Sequence, residues 1–311
     1  MIFMAPKSLG PSKKMKRIDL KITFKCNNQC QFCVQGSKRK KFGDKNLKKV
    51  TDFLTGAWQD GYRQVVFTGG EPTLHPDFLR MVKKTKQIGF FIQIQTNGRT
   101  FAYKNFCRQL VELGVDEFGP SIHGAKAQTH DFLTSSLGSF RQTVTGIKNL
   151  KELGQYVLTN TVITTKNYQE LSTLAKLLVD LGVDQFQLAF VHILGSAKKN
   201  QGWLVPKKTT VMPYVKKALD IGVAAKKTVM TEAIPYCLMR GYEKHIAENI
   251  IPEAKILDAG FVVESYTDYR QNQGKMKGPK CKSCRYFNIC EGPWREYPAI
   301  FGWDEFKPIK K

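Results

Sequence analysis

The chain has 311 residues, 42% apolar and 24% charged, which suits one large domain with a small appendage and excludes a disordered polymer. No apolar run approaches the roughly 18 residues needed to cross a bilayer, and residues 1–16 lack the apolar stretch of a secretory signal, so a cytoplasmic protein with no membrane partner is expected. Lys and Arg outnumber Asp and Glu by 49 to 26, a formal net charge of +23 that suits an anionic partner, RNA among them, or reflects a surface that is lysine-rich throughout.

The first strand is expected near residues 17–24. Asp44 then has the position of a helix cap, before an apolar stripe of Leu47, Val50, Leu54 and Ala57. A repeated junction follows, in which an amphipathic stretch stops at a glycine and a β-branched or aromatic run begins. It occurs at Gly61, Gly89, Gly114, Gly154 and Gly182, and the pieces ELGVDEF and DLGVDQF are nearly the same text. Glycine accepts the left-handed conformation at a helix C′ position, so each junction reads as helix, stop and strand. Before the last, Asn167 and Glu170 have capping-box spacing, and Leu171, Leu174, Leu178 and Leu181 follow one helical face. Six strands alternating with helices predict an α/β chain with a parallel sheet, and their spacing suits a partial (β/α)6 barrel. Residues 202–206 read as a loop, and Val211–Ala225 as the last helix. Residues 226–311 read as irregular, a small second domain held by metal in place of its own core. The expected division is a basic tail at 1–16, a barrel at 17–225 and the small domain at 226–311.

Eight cysteines without a secretory signal point to metal or redox chemistry. Cys26, Cys30 and Cys33 follow the first strand, so three thiolates within eight residues can meet on one iron–sulfur cluster. Three ligands for a four-iron cube leave one iron open, and an open metal position is where chemistry occurs. A zinc knuckle is the alternative, but none of the five histidines is placed to complete it. The second strand ends in Gly69-Gly70-Glu71-Pro72. Two glycines let backbone come close to a ligand, and Glu71 offers a carboxylate to an ammonium group; an ordinary strand-ending turn would look the same.

The C-x3-C-x2-C loop with Gly-Gly-Glu one βαβ unit later resembles the radical S-adenosylmethionine (SAM) superfamily. The resemblance implies that Cys26, Cys30 and Cys33 hold a [4Fe–4S] cluster whose fourth iron is chelated by SAM. Reduction would cleave SAM to a 5′-deoxyadenosyl radical that takes a hydrogen atom from substrate. It places Phe32 near the adenine and Gly69, Gly70 and Glu71 at the SAM amino group. Ser121 and Asn160 would lie at the ribose or carboxylate, and His192 on the adenine side. It further implies an electron donor of the flavodoxin or ferredoxin type.

Cys281, Cys284 and Cys290 form a second ligand turn, with Cys237 as a fourth partner. Spacing alone fits zinc or a second [4Fe–4S] cluster equally well. Resemblance to the pyrroloquinoline-quinone and molybdopterin maturases, whose C-terminal twitch or SPASM-like domains carry auxiliary clusters, favours one auxiliary [4Fe–4S] cluster. Cys107, on an amphipathic stretch, reads as a core residue. The same resemblance implies a peptide, protein or small-metabolite substrate, with a separate recognition partner for a peptide. RNA modification, supported by charge alone, and a non-catalytic iron–sulfur scaffold are the alternatives.

Overall fold

The glycine stops are where the helices end. In the computed structural model, which describes residues 15–310 and so leaves nearly all of the expected basic tail at 1–16 outside the described residues, all five junction glycines have positive φ, from 71° at Gly154 to 113° at Gly89. The strands that follow or precede them are β1 (Lys16–Thr23), β2 (Tyr62–Gly69), β3 (Phe91–Thr96), β4 (Glu117–Pro120), β5 (Leu158–Ile163) and β6 (Gln185–Phe190). Between them run α1 (Leu47–Gln59), α2 (Phe78–Ile88), α3 (Lys104–Glu112), α4 (Ala127–Thr134), α5 (Ser139–Glu152) and α6 (Leu171–Asp180).

β1 to β4 pair in order and in parallel, as do β5 and β6, and isolated parallel bridges Phe118–Val157 and Ser121–Asn160 join β4 to β5. The result is a partial TIM-like barrel. Two further parallel strands lie beyond residue 225, where the barrel was expected to end. β7 (Thr228–Glu232) pairs with β6, and β8 (Ala254–Leu257) pairs with β1 on the other edge. The helix before β7 runs through Lys208–Ala224, earlier than the expected Val211–Ala225, and its stop is Lys226 at φ 56°. A lysine in the glycine's place removes the junction signal. β8 has four residues and only short 3-10 turns before it, the last at Ala247–Asn249, so it had no signal to lose.

Two expected caps are made differently. Asn46, not Asp44, caps α1 by accepting from Lys48 N at 2.8 Å, while Asp44 accepts from Thr23 Oγ1 and pairs with Lys25. The capping box at Asn167 and Glu170 does not form. Asn167 Oδ1 accepts from Thr164 N at 2.7 Å, and Glu170 instead accepts from Thr129 Oγ1 and Ala125 N. Both side chains join the α6 start to the β4 and β5 ends, a tertiary role that local spacing cannot reveal. Cys107 is fully buried in the core, as expected.

Strand register separates the two faces. On the helix side, Leu20, Phe67, Ile94 and Phe118 are in register across four strands, and none is exposed. On the inner side, Asp19, Val66, Gln93 and Glu117 are in register, and further round Ser121, Asn160 and Gln187. A closed eight-fold barrel fills its interior with branched apolar side chains. Here carboxamides and charges face inward, so the lumen suits polar contents. Burial and the adjacent Asp116 push the Glu117 carboxyl up to about 7.

Candidate functional site

The strand C-terminal ends carry the chemistry-bearing residues. Directly after β1, the three-cysteine loop is fixed by backbone bonds from Gln29 N to Thr134 O and from Gln31 N to Leu133 O, both 2.9 Å, at the end of α4. Ser196 N reaches Cys33 O, also at 2.9 Å, from beyond β6. The sulfurs face polar hydrogens: Cys26 Sγ accepts from Asn28 N at 3.4 Å, and Cys33 Sγ lies 3.6 Å from Arg39 Nη2. Asn97 Nδ2 approaches Cys26 Sγ at 3.8 Å. Arg99 donates to Asn27 O and to Asn28 Oδ1, tying the loop to the end of β3. Such donors suit sulfur that carries negative charge, as thiolate ligands do.

Sequence reasoning missed Arg39, Asn97 and Arg99. The last two stand just past the end of β3, the same place in the barrel that singled out Ser121 and Asn160, and that position was the available signal. Arg39 lies in a lysine-rich run and had none.

The Gly-Gly-Glu segment packs against the cysteine loop. Gly70 N donates to Thr23 O and Glu71 N to Lys25 O, both at 2.7 Å. A Cβ on Gly70 would sit 2.2 Å from Lys25 O, and one on Gly69 2.4 Å from Thr23 O. Both glycines therefore admit the backbone leading into the cysteine loop. The Glu71 carboxylate, expected to face an ammonium group, is fully buried. It accepts from Thr73 N, Thr73 Oγ1, Thr96 Oγ1 and, at 2.7 Å, Asn97 N. Its hydrogen bonds are made within the protein, and it clamps the β2 exit to the β3 exit.

Phe32 packs edge-on against His123, ring centroids 4.5 Å apart, and His123 stacks on His130. Burial holds both histidines neutral, His130 down to about 4. Ser121 and Asn160 bridge β4 to β5, and the buried Asn160 Oδ1 has no hydrogen-bond partner among the described residues. An orphaned acceptor at a strand end, on the lumen face, fits a ligand that brings a donor. His192 follows β6, but Trp294 covers one face of its ring, 3.8 Å away and 6° from parallel. Burial and Lys275 hold its imidazole down to about 4.

The second group also assembles. Cys237, Cys281, Cys284 and Cys290 line one apolar cavity with Tyr236 and Phe287. Burial and the other three thiols push the Cys237 thiol up to about 12. Next to Cys290, Glu291 is bonded to Arg270 at 2.8 Å and to Lys275 at 2.8 Å, and Lys275 reaches Glu248 at 2.5 Å. Glu248 in turn accepts from Ala233 N, just past β7. Among the described residues, no three His, Cys, Asp or Glu side chains converge on a position for a single ion. The ligands of a cube sit on separate irons, so a cluster asks for no such convergence. Among the described residues, no helix is long and apolar enough to cross a membrane.

A partial barrel with a three-thiol loop beyond β1 and a carboxamide-lined lumen defines a metal-dependent α/β enzyme fold. Residues 20–178, half of the chain, match the Radical SAM superfamily, and the chain belongs to it. Membership implies a [4Fe–4S] cluster and SAM. The chain is 29% identical over 182 residues to pre-heme d1 synthase of Dinoroseobacter shibae, covering 58% of this chain and 45% of that one. It is 30% identical over 192 residues to a probable GTP 3′,8-cyclase of Saccharolobus solfataricus, covering 60% of each. The matches thus span about half the length of these relatives. Among solved structures, Streptococcus suis SuiB bound to its precursor peptide SuiA superposes with a TM-score of 0.69 at 17% identity, over 91% of this chain and 72% of that one.

Proposed function

We propose that the protein is a radical SAM enzyme that removes a hydrogen atom from a polar substrate held in its lumen, a peptide or protein side chain before a small metabolite. The observation that carries this reading is the direct bonding of Gly70 N and Glu71 N to the backbone that leads into Cys26. It makes the cysteine loop and the Gly-Gly-Glu turn one rigid unit at the strand ends, above a polar lumen.

Cys26, Cys30 and Cys33 would hold the cluster. Bound there, the cluster and SAM supply reductive cleavage to methionine and a 5′-deoxyadenosyl radical. Asn97, Arg99 and Arg39 keep the loop in one geometry and direct N–H groups toward its sulfurs or its backbone. Asn160 Oδ1, with Ser121 beside it, would be free to accept a hydrogen bond from SAM. Phe32 and His123 form a dry aromatic wall, and the uncharged His123 avoids repelling a sulfonium. Gly69 and Gly70 fix the turn, and Glu71 holds its shape. His192, braced by Trp294, closes the β6 side. Cys237, Cys281, Cys284 and Cys290 would hold an auxiliary [4Fe–4S] cluster in the apolar cavity they share. Residues 226–311 act as the auxiliary-cluster domain while lending β7 and β8 to the barrel.

Likeness in fold to a peptide-bound structure supports the peptide preference, and the polar lumen supports a polar substrate of either kind. Anaerobically reconstituted protein should contain about eight irons, four per cube. Supplied with dithionite and SAM, it should release 5′-deoxyadenosine, and Cys30→Ala should abolish that release. Unchanged cleavage in the variant would sink the mechanism.

A further inference from the structure

β7 ends on a carboxylate. Val229 packs against Gly222 of the helix Lys208–Ala224, so alternation along the strand turns Met230 and Glu232 to the lumen face. Glu232 is in register with Ala189 and Ala189 with Val162, while Met230 is in register with Gln187. The carboxylate thus stands on an apolar step of Val162, Ala189 and Met230, at the strand ends that also carry the cysteine loop.

One of its oxygens is held and the other is open. Gln187 Nε2 donates to Glu232 Oε2 at 2.6 Å, and among the described residues Oε1 accepts no hydrogen bond and no cation pairs with the carboxylate. The cations whose charge reaches it are engaged elsewhere: Lys275 with Glu248 and Glu291, Arg270 with Glu291, and Arg17 with Asp19. Burial and Glu248 hold its carboxyl above the usual carboxylate range, a direction that a bound cation would reverse. The turn that follows is strained. Ala233 has φ 60°, a left-handed conformation uncommon for a residue with a Cβ. Two side chains clamp it: Lys208 Nζ donates to Ala233 O at 2.8 Å, and Glu248 Oε1 accepts from Ala233 N at 2.7 Å. Lys208 is fully buried, with its Nζ over the Phe190 ring. A strained residue clamped from both sides fixes the aim of the side chain before it, and such strain gathers at ligand sites.

We propose that Glu232 selects the substrate by binding a primary ammonium at the end of an aliphatic chain, as in a lysine side chain or an alkylamine. The inference rests on the reading of the protein as a radical SAM enzyme with its substrate in the lumen, and it names the chemistry of that substrate. Val162, Ala189 and Met230 take the methylenes, and Glu232 takes the charged end. Because Gln187 already occupies one oxygen, the other suits a single contact from an ammonium better than the two parallel contacts of a guanidinium. Anchoring the chain at its end fixes its C–H bonds relative to the strand ends.

The test measures binding to the cluster-loaded enzyme with SAM and no reductant. The probes are n-butylamine and acetylated, amidated Gly-Gly-X-Gly-Gly peptides with lysine, arginine, norleucine or glutamate at X. Wild type should bind the lysine peptide about tenfold more tightly than the norleucine peptide, with arginine between them and glutamate weakest. E232Q should bring the lysine-to-norleucine ratio to about one while the norleucine peptide binds as before, a selective change that misfolding would not give. E117Q, which removes a carboxyl elsewhere on the lumen face, should keep the ratio. A lysine peptide that binds more tightly than butylamine assigns the ammonium to a peptide side chain, and the reverse order assigns it to a free amine; either supports the proposal when E232Q removes the preference. Lysine and norleucine bound alike by wild type, a ratio kept in E232Q, or an equal loss in E117Q would overturn it. So would weaker SAM binding in E232Q with the ratio unchanged, which would give the carboxylate to SAM. Release of 5′-deoxyadenosine by reduced wild type without peptide reports separately on the radical SAM reading, since the peptides are bound without reduction.

Discussion

Glu71→Ala separates two roles for the Gly-Gly-Glu turn. If the carboxylate served mainly to hold a ligand's ammonium group, its loss would spare the fold and raise the SAM dissociation constant. The structure gives it another task. Its two oxygens accept four hydrogen bonds, from Thr73 N at 3.2 Å, Thr73 Oγ1 at 2.6 Å, Thr96 Oγ1 at 2.7 Å and Asn97 N at 2.7 Å. The two hydroxyls can rotate to other acceptors, but the Asn97 and Thr73 amides cannot. Leaving a buried donor unpaired costs about 1–3 kcal/mol, and the small cavity adds to it. A loss of about 3 kcal/mol in unfolding free energy is therefore expected in protein without SAM or cluster, read by anaerobic urea denaturation. Glu71→Gln should lose about half as much, since one oxygen survives and the new amide faces a donor. Variants as stable as wild type to within about 0.5 kcal/mol, with SAM binding selectively lost, would refute the clamp and restore the ammonium role.

Other perturbations probe the remaining parts. Cys284→Ala should lose the C-terminal cluster's iron and spare the cluster at Cys26, Cys30 and Cys33, as electron paramagnetic resonance of the reduced protein would show; two full clusters in the variant would contradict the division of the cysteines. His130 and His192 are both held down to about 4 by burial, so the unfolded chain binds more protons between about pH 6.5 and 4. Stability should therefore be complete above about pH 6.5 and fall as pH drops toward 4, by up to about 3 kcal/mol for the fully buried His130 and by less for the partly exposed His192. His130→Asn should flatten part of that acid limb, and an unchanged limb would contradict its buried neutral state. Arg270→Met leaves Glu291 with only Lys275 in a buried site, and should cost about 3–5 kcal/mol. Because Glu291 adjoins Cys290, C-terminal iron should fall with stability, while 5′-deoxyadenosine release without substrate persists.

Local chemistry made the first two thirds of the chain legible. A glycine at a helix stop is demanded by φ alone, so Gly61, Gly89, Gly114, Gly154 and Gly182 located the strands without any knowledge of their neighbours. The cysteine loop was legible for the same reason, since ligand spacing is a local property. What stayed hidden depends on partners distant in sequence. Asn167 looks like a cap until His123 O and Val162 O, its actual acceptors, are brought to it by the barrel. The Gly70 contact lies with Lys25, 45 positions away, so spacing alone could not show the backbone that it crowds. β7 was invisible because Lys226 takes the left-handed turn that a glycine would have announced.

The C-terminal third shows how a segment that composition sets apart is tied to the barrel. A segment rich in Gly, Pro and Cys with little helical period looks like a separate metal-held module. It is joined to the barrel by apolar packing, with Tyr297 against Phe190 in the common core, and by buried charge. Lys275 and Arg270, both about 1% exposed, meet Glu248 and Glu291, and Glu248 holds the backbone at the end of β7. Trp294 adds a ring over His192 at the end of β6. In a sequence these residues read as solvated surface, because a lysine or glutamate carries no sign of its burial. The same network places Glu291 between the cysteine turn and the strand ends. Loss of metal at Cys290 should therefore be felt at β7 and His192, on the wall of the lumen. On the proposed reading, occupancy of the second cysteine group would thus be a structural condition on the lumen wall beside the first, whether or not an electron ever passes between them.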